Sequence, residues 1–317
     1  MVILALYFNK PGSFFMQKQT YRGRFAPSPT GPLHFGSLIA ALGSFLQAKQ
    51  AHGTWLLRIE DIDPPREIPG AADDILYTLE SYGLEWDEQP LYQSTRSEAY
   101  REALLILERM QRIYLCGCSR KEITDAAQPG EKHAIYPGTC RNRLPAGKSA
   151  RALRLNTQGI QIRFADRLQG EIKHDLERET GDFVIRRADG PIAYQLAVVI
   201  DDAAQGITEV VRGSDLLEQT PGQLYLQQLL DLKTPDYLHL PVATHQHGQK
   251  LSKQTFARAL DTSQPIPALI KALDFLGQSP PPELHEANLA EFWHWAISHW
   301  DSRHIPNTRT IAIAEQT

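Results

Sequence analysis

An α/β fold built on a mostly parallel, nucleotide-binding sheet is expected, and three observations predict it. From Tyr21 to about Leu115, apolar strand-like runs alternate with segments of helical period. The same alternation returns after about residue 180. The first strand also passes through a Pro/Gly turn directly into a helix, Arg24-Phe25-Ala26-Pro27-Ser28-Pro29-Thr30-Gly31 leading to His34-Phe35-Gly36-Ser37. That junction sets the positive end of a helix dipole at the carboxyl edge of a strand, where an anionic nucleotide would sit.

The elements follow in order. Ser37 to Leu46 carries the first helix, and Gly53 to Ile59 reads as a strand. A helix over Ala71–Glu80 ends near Gly83, and another over Ser97–Arg112 has Ser97 as its expected cap. Ile113-Tyr114-Leu115 resumes a strand. Residues 116–180 break the rhythm with Gly/Pro turns, three cysteines and short β-like pieces such as Ile160–Phe164, and are read as an insertion. Phe183–Arg187 then reads as a strand, followed by a turn at Asp189-Gly190. The β-branched run from Tyr194 to Ile200 and the segment Val210–Gly213 read as further strands, before a helix from Pro221 to Leu232. Beyond Lys253 the chain turns helical and polar, with breaks at Pro265-Ile266-Pro267 and Pro280-Pro281-Pro282.

Composition bounds the function. With 317 residues, 42% hydrophobic and 22% charged, the chain has room for two or three packed units. No apolar run approaches the roughly 20 residues of a membrane helix, so no membrane partner is expected. The apolar start Met1–Phe8 lacks a basic segment before it and a small-residue cleavage site after it, so residues 1–20 are expected to be a disordered extension rather than an export signal. A net charge of −4 gives no overall basic footprint, and any nucleic acid would be held by local patches. Three cysteines, an odd number close together, argue against a disulfide framework and for a reducing, cytoplasmic setting.

Two constellations carry chemistry. His34 at a helix head can donate to a phosphate oxygen, and Gly36 offers a bare surface to a purine. Lys250 and Lys253, in Gly248-Gln249-Lys250-Leu251-Ser252-Lys253, can close over a triphosphate as mobile charges. Taken singly, a capping histidine and a solvated lysine pair describe them better. Their joint presence with the Arg24–Gly31 turn favours activation of a carboxylate with ATP, which needs positioning and charge neutralisation more than covalent help. The second constellation is Cys116, Cys118 and Cys140, three soft ligands suited to zinc, for which spacing nominates His133 as fourth donor.

These motifs, together with Arg58-Ile59-Glu60-Asp61-Ile62-Asp63-Pro64-Pro65-Arg66, Val198-Val199-Ile200-Asp201-Asp202 and Val211-Arg212-Gly213-Ser214-Asp215, resemble in content and order the glutamyl branch of the class I aminoacyl-tRNA synthetases. The likeness spans about residues 21–255. The family's HIGH and KMSKS signatures are present in altered form, as His34-Phe35-Gly36-Ser37 and Lys250-Leu251-Ser252-Lys253-Gln254. The resemblance implies a Rossmann-type class I synthetase catalytic domain with a zinc-bearing insertion and a short helical C-terminal region. Its halves would cover 21–115 and 181–255, with the insertion at 116–180 and the C-terminal region at 256–317. It implies that L-glutamate is held by Arg24, Phe25, Ala26, Pro27, Ser28, Glu60, Tyr194 and Arg212, with Tyr194 placed on a strand. ATP, arriving with Mg²⁺, would meet His34, Gly36, Ser37, Lys250 and Lys253, of which His34 and Lys253 are catalytic.

It also moves the fourth zinc ligand from His133 to Tyr136, in Tyr136-Pro137-Gly138-Thr139-Cys140, for a structural Zn²⁺. With about 64 residues after Lys253, the chain resembles a truncated paralogue of the branch. That group makes glutamyl-adenylate without tRNA and passes glutamate to queuosine at the wobble position of tRNA(Asp), here expected as a monomer. The alternative is a short discriminating synthetase that charges the 3′ end of tRNA(Glu). Without the resemblance, Glu60 among Arg58, Asp61, Asp63 and Arg66 would read as a surface charge cluster, and Asp201-Asp202 as structural acids rather than a metal site.

Overall fold

A computed structural model describes residues 20–126, 135–247, 249–250 and 258–313. The expected extension over 1–20 lies outside these residues except for its last position, as do His133, Lys253 and Gln254. No helix among the described residues is long and apolar enough to cross a membrane.

The first half opens with strand β1 (Arg22–Phe25), helix α1 (Phe35–Gln50), β2 (Thr54–Ile59), α2 (Ala71–Ser81), β3 (Leu91–Tyr92) and α3 (Ser97–Arg109). β1, β2 and β3 form a parallel sheet, with Arg24 opposite Leu56 and Ile59 opposite Tyr92. All of β2 except Thr54 is buried, as a strand covered on both faces must be, which explains its unbroken apolar run. α1 is buried almost all round, from Leu38 to Ala48. Gly43 permits this: a Cβ there would lie 2.6 Å from Leu240 Cδ1.

The chain continues through β4 (Ile113–Cys116), α4 (Arg120–Asp125), β5 (Ala152–Leu155), β6 (Gln161–Asp166), β7 (Gly170–Asp175), β8 (Val184–Arg186), α5 (Tyr194–Ala204), β9 (Glu209–Gly213), α6 (Thr220–Leu229), β10 (Asp236–Leu240) and β11 (Val242–Thr244). A second sheet has the order β7-β6-β10-β9, parallel between β9 and β10 and antiparallel in the β6–β7 hairpin. Thr208 joins it to the first sheet, since its N–H donates to the Arg22 carbonyl at 2.9 Å. The hairpin thus leaves the interrupted stretch and joins the sheet of β9 and β10, where Asp166 sits opposite Tyr237 of β10.

After the lysine-rich segment come α7 (Pro265–Phe275), α8 (Leu289–His299) and β12 (Thr310–Ala312), which pairs parallel with β11. Leu269, Leu273, Phe292 and Trp300 share one core with α1, Trp55, Leu57 and Leu238. Trp300 Nε1 donates to Gln47 of α1 at 2.8 Å, so the helical C-terminal region packs directly on the catalytic body.

Several expectations are corrected. Tyr194–Ile200 is the start of α5, not a strand: burial of Leu196, Ala197, Val198 and Val199 in the helix outweighs the β preference of Val198-Val199-Ile200. Ser97 is the first helical residue of α3 and Arg96 occupies the cap position; the helix stops at Arg109, with Gln111 at φ 54° turning the chain. β4 is a strand but runs antiparallel to β5 in a separate sheet, β4-β5-β8, rather than extending the parallel one. Pro265-Ile266-Pro267 starts α7 instead of breaking it, since proline is well suited to a first helical turn.

Candidate active site

A cleft opens where the carboxyl ends of β1 and β9 face the head of α1. Arg24, Phe25, Ala26, His34, Gly36, Ser37, Tyr194, Arg212 and Lys250 all line it. Pro27, Ser28 and Glu60 stand behind or beside this wall. The Pro27 carbonyl accepts the Glu60 N–H at 3.0 Å, and Ser28 is exposed on the turn. Lys253 lies outside the described residues, but both of its described flanks reach the cleft. Lys250 bridges Thr244 and pairs with Asp215, and Ala259 bridges His34.

His34 is the N-cap of α1, in extended conformation, and its Nδ1 accepts the Ser37 N–H at 3.3 Å. Capping therefore fixes the ring and leaves Nε2 as the protonated nitrogen of the neutral tautomer. No acidic residue stands in the first turn of α1, so its dipole is open to an anion. Capping uses only Nδ1 of the ring.

Behind the wall lies a buried ionic group. Arg24 Nε donates to Asp202 Oδ1 at 3.0 Å, and Arg58 Nη2 to the same oxygen at 2.7 Å. Burial opposes ionisation of Asp202, yet Arg24 and Arg58 hold its carboxyl below the usual range. With Nε committed, the Arg24 guanidinium retains its Nη edge for a carboxylate in the cleft. Glu60 is 7% exposed, not part of a surface cluster. Burial raises its pKa to about 7 against the pull of Arg58 and Arg24. Its Oε1 and Arg58 Nε stand 3.7 Å apart, and neither has a hydrogen-bond partner among the described residues.

Asp201 and Asp202 share a helix but face different groups. Asp201 accepts from Gln93 Nε2 at 2.9 Å, Arg96 Nε at 3.1 Å and Tyr100 Oη at 2.5 Å. Both acids thus have basic partners, as the structural reading expects.

Arg212 is fixed from three directions. Its Nε donates to His239 Nε2 at 3.0 Å, and its Nη2 to Thr220 Oγ1 at 2.9 Å and Gln223 Oε1 at 2.8 Å. Its Nη1 lies 3.4 Å from Tyr194 Oη at the cleft. Behind it, His239 Nδ1 is 2.6 Å from Asp166 Oδ2. Burial, reinforced by the Arg212 charge, pushes the His239 pKa down to about 4, so the ring is neutral. Arg58, Asp166, Thr220, Gln223 and His239 are not among the residues the sequence nominates. A histidine inside the apolar run Tyr237–Leu240 was the one local sign, and its partners come from other strands.

The cysteines converge as well. Cys116, Cys118 and Cys140 place their sulfurs within 4.8 Å of one another, with 3.6 Å between Cys118 and Cys140. Tyr136 Oη is 3.4 Å from Cys116 Sγ and 3.8 Å from Cys118 Sγ. A tetrahedral ion with metal–sulfur bonds of about 2.3 Å needs sulfurs roughly 3.8 Å apart, so these donors fit zinc. His133, the rival donor, lies outside the described residues. The Arg154 guanidinium covers the Tyr136 ring at 3.9 Å and donates to the Asp182 carbonyl at 2.6 Å, tying the cluster to the core.

Comparison with known proteins finds relatives over most of the chain. A curated glutamyl-Q tRNA(Asp) synthetase of Aromatoleum aromaticum is 54% identical over 286 residues, covering 90% of each chain. One from Dechloromonas aromatica is 54% identical over 295 residues, covering 92% of this chain and 98% of the relative. Among solved structures, a glutamate-tRNA synthetase of Elizabethkingia anophelis superposes with a TM-score of 0.77 at 25% identity, covering 93% of this chain and 68% of the other. The model of the tRNA synthetases class I (E and Q) catalytic domain matches residues 20–281. With its cleft at the capped head of α1 and these relatives, the chain belongs to the class I tRNA synthetases of the E and Q group.

Proposed function

We propose that this enzyme activates L-glutamate with ATP, without tRNA, and transfers the glutamyl group to queuosine at the wobble position of tRNA(Asp). Relatives with the glutamyl-Q tRNA(Asp) synthetase name support the acceptor, and they match over most of their own length. One structural observation supports the amino-acid half: Arg24, Arg212 and Tyr194 line the same cleft as His34, and the buried Glu60 stands beside them within reach of the Arg58, Arg24 and Arg212 charges. These groups complement the three charges of glutamate. Arg24 takes one carboxylate, ionised Glu60 the ammonium, and Arg212 with Tyr194 the other carboxylate. Phe25, Ala26 and Pro27 supply backbone and apolar wall, and Ser28 closes the turn.

In this reading the α-carboxylate oxygen attacks the α-phosphorus of ATP in line, and pyrophosphate leaves. His34 Nε2–H and the head of α1 hold phosphate oxygens, Gly36 and Ser37 let the nucleotide lie close to the backbone, and Lys250 and Lys253 neutralise the leaving pyrophosphate. Lys250 would exchange Asp215 for phosphate as the nucleotide binds. Mg²⁺ enters with ATP as its counter-ion. A hydroxyl of the queuosine cyclopentenediol then attacks the carbonyl carbon of the mixed anhydride, forming the glutamyl ester and releasing AMP. Zn²⁺ would be held by Cys116, Cys118, Cys140 and Tyr136, where it supplies a structural staple rather than an activated water. The protein would act as a monomer in the cytoplasm.

Glutamate-dependent ATP–pyrophosphate exchange in the absence of RNA is expected, followed by labelling of tRNA(Asp) that contains queuosine and not of tRNA(Asp) that lacks it. Exchange that requires tRNA(Glu), with charging of its 3′ end, would establish the alternative acceptor instead.

A further inference from the structure

Arg212 has a fixed supply of donors, and the protein itself uses most of them. His239 takes Nε, and Thr220 and Gln223 take Nη2, which leaves Nη1 beside Tyr194 as the edge toward the cleft. A guanidinium is a rigid plane, so pinning Nε and Nη2 sets the direction of Nη1. The pin at Nε holds only while His239 Nε2 presents a lone pair. Asp166 ensures this by accepting the proton of Nδ1 at 2.6 Å. Its other oxygen accepts the N–H groups of Leu168 at 3.0 Å, Gln169 at 2.8 Å and His239 at 3.3 Å, so the turn of the β6–β7 hairpin holds the carboxylate in turn.

Stacking completes the arrangement. The Tyr237 ring lies parallel to His239 at 5.9 Å and beneath Arg212 at 5.6 Å. Asp166, His239 and Arg212 are 3%, 0% and 5% exposed, so water cannot substitute for any link. They occupy three successive strands, β6, β10 and β9, of the second sheet.

We propose that Asp166 and His239 are positioning residues: through the tautomer of His239 they fix the edge of Arg212 that recognises the substrate carboxylate. This rests on the reading of Arg212 as a glutamate-binding residue. Neither residue touches substrate. Their effect is on amino-acid recognition and not on the nucleotide, which lies at the His34 end. The β6–β7 hairpin, outside the two halves expected for the catalytic domain, thereby becomes part of the specificity apparatus.

The test combines kinetics with the tautomer. In ATP–pyrophosphate exchange, His239→Phe keeps a flat ring but removes the acceptor, and Asp166→Asn preserves shape but permits the opposite tautomer. Each is expected to raise KM for glutamate roughly 10- to 100-fold, as for loss of a hydrogen bond to a charged group, while KM for ATP stays within about 2-fold. His239→Gln, whose amide oxygen can stand near the position of Nε2, should recover most of the loss. Nitrogen-15 NMR of the histidines should find His239 protonated at Nδ1 in the unaltered protein and at Nε2 in Asp166→Asn. An unchanged glutamate KM in folded Asp166→Asn, or Nε2 protonation in the unaltered protein, would overturn the proposal. Should His239→Phe fail to fold, Asp166→Asn and the tautomer still decide. If the unaltered protein gives no glutamate-dependent exchange, the substrate reading fails, and the tautomer measurement separately decides whether the relay exists.

Discussion

The ionic group behind the cleft and the cysteine cluster are both buried polar sites, but they are held together by different means. Behind the cleft, Arg24 and Arg58 share the single charge of Asp202, and within this group Glu60 Oε1 and Arg58 Nε are the buried atoms without a hydrogen-bond partner among the described residues. A zwitterion that brings its own ammonium can complete this lattice without distorting it. The cysteine cluster has no such internal balance. Burial, followed by the neighbouring Cys140, pushes the Cys118 thiol up, and burial pushes the Tyr136 phenol up as well. At Cys116 burial is overcome by the Tyr136 hydroxyl, the Cys118 N–H and Arg154, which hold the thiol below its ordinary range. A cation entering among such donors stabilises their deprotonated forms. The cleft is therefore held by paired charges, whereas the cluster gathers donors of the kind that bind a cation.

This difference predicts how each region breaks. The largest effect is expected for Arg58→Ala, which strips a fully buried cation from Asp202 and Glu60. Breaking a buried ion pair from one side costs about 3–5 kcal/mol, readable as a lower urea midpoint, with loss of exchange activity. An equal midpoint in the variant would show that the lattice is not what holds the cleft. Next, Cys118→Ser should abolish bound zinc, measured by elemental analysis, and lower the melting temperature, yet leave glutamate-dependent exchange within about 10-fold, since each tenfold is 1.4 kcal/mol. Loss of exchange with a normal melting temperature would mean that the two regions are coupled.

The Glu60 prediction concerns pH. Its pKa in the folded chain, about 7, exceeds the ordinary 4.5, so the folded state holds the proton more tightly. Its contribution to stability is complete below pH 4.5 and is lost as pH rises through about 7. Binding of an ammonium requires the opposite form. KM for glutamate should therefore rise about 10-fold per pH unit below 7, and Glu60→Gln should flatten that dependence while raising KM throughout. The smallest effect is expected for Tyr136→Phe. Three thiolates remain, so zinc should still bind but be lost more readily to a chelator, by roughly 10- to 100-fold in affinity. Unchanged chelation would favour a different fourth donor.

The linear order of residues already determined the strand–turn–helix at Arg24–Ser37, because a Pro/Gly turn and a helix cap act within a few residues of one another. It determined the grouping of Cys116, Cys118 and Cys140 for the same reason, since they lie close along the chain, while Tyr136 came from the family resemblance, spacing having nominated His133. Helical α5 was misread because its run Val198-Val199-Ile200 has a strong β preference, and only burial on several sides reverses it. Tertiary structure alone decided the partners of the charged residues. Arg24 meets Asp202, and Arg212 meets His239 and through it Asp166, across separations of 178, 27 and 73 residues. A charge carries no mark of the partner that will neutralise it. Packing removes water from these groups, and the requirement that every buried charge be compensated then selects, from the whole chain, the residues that stand together.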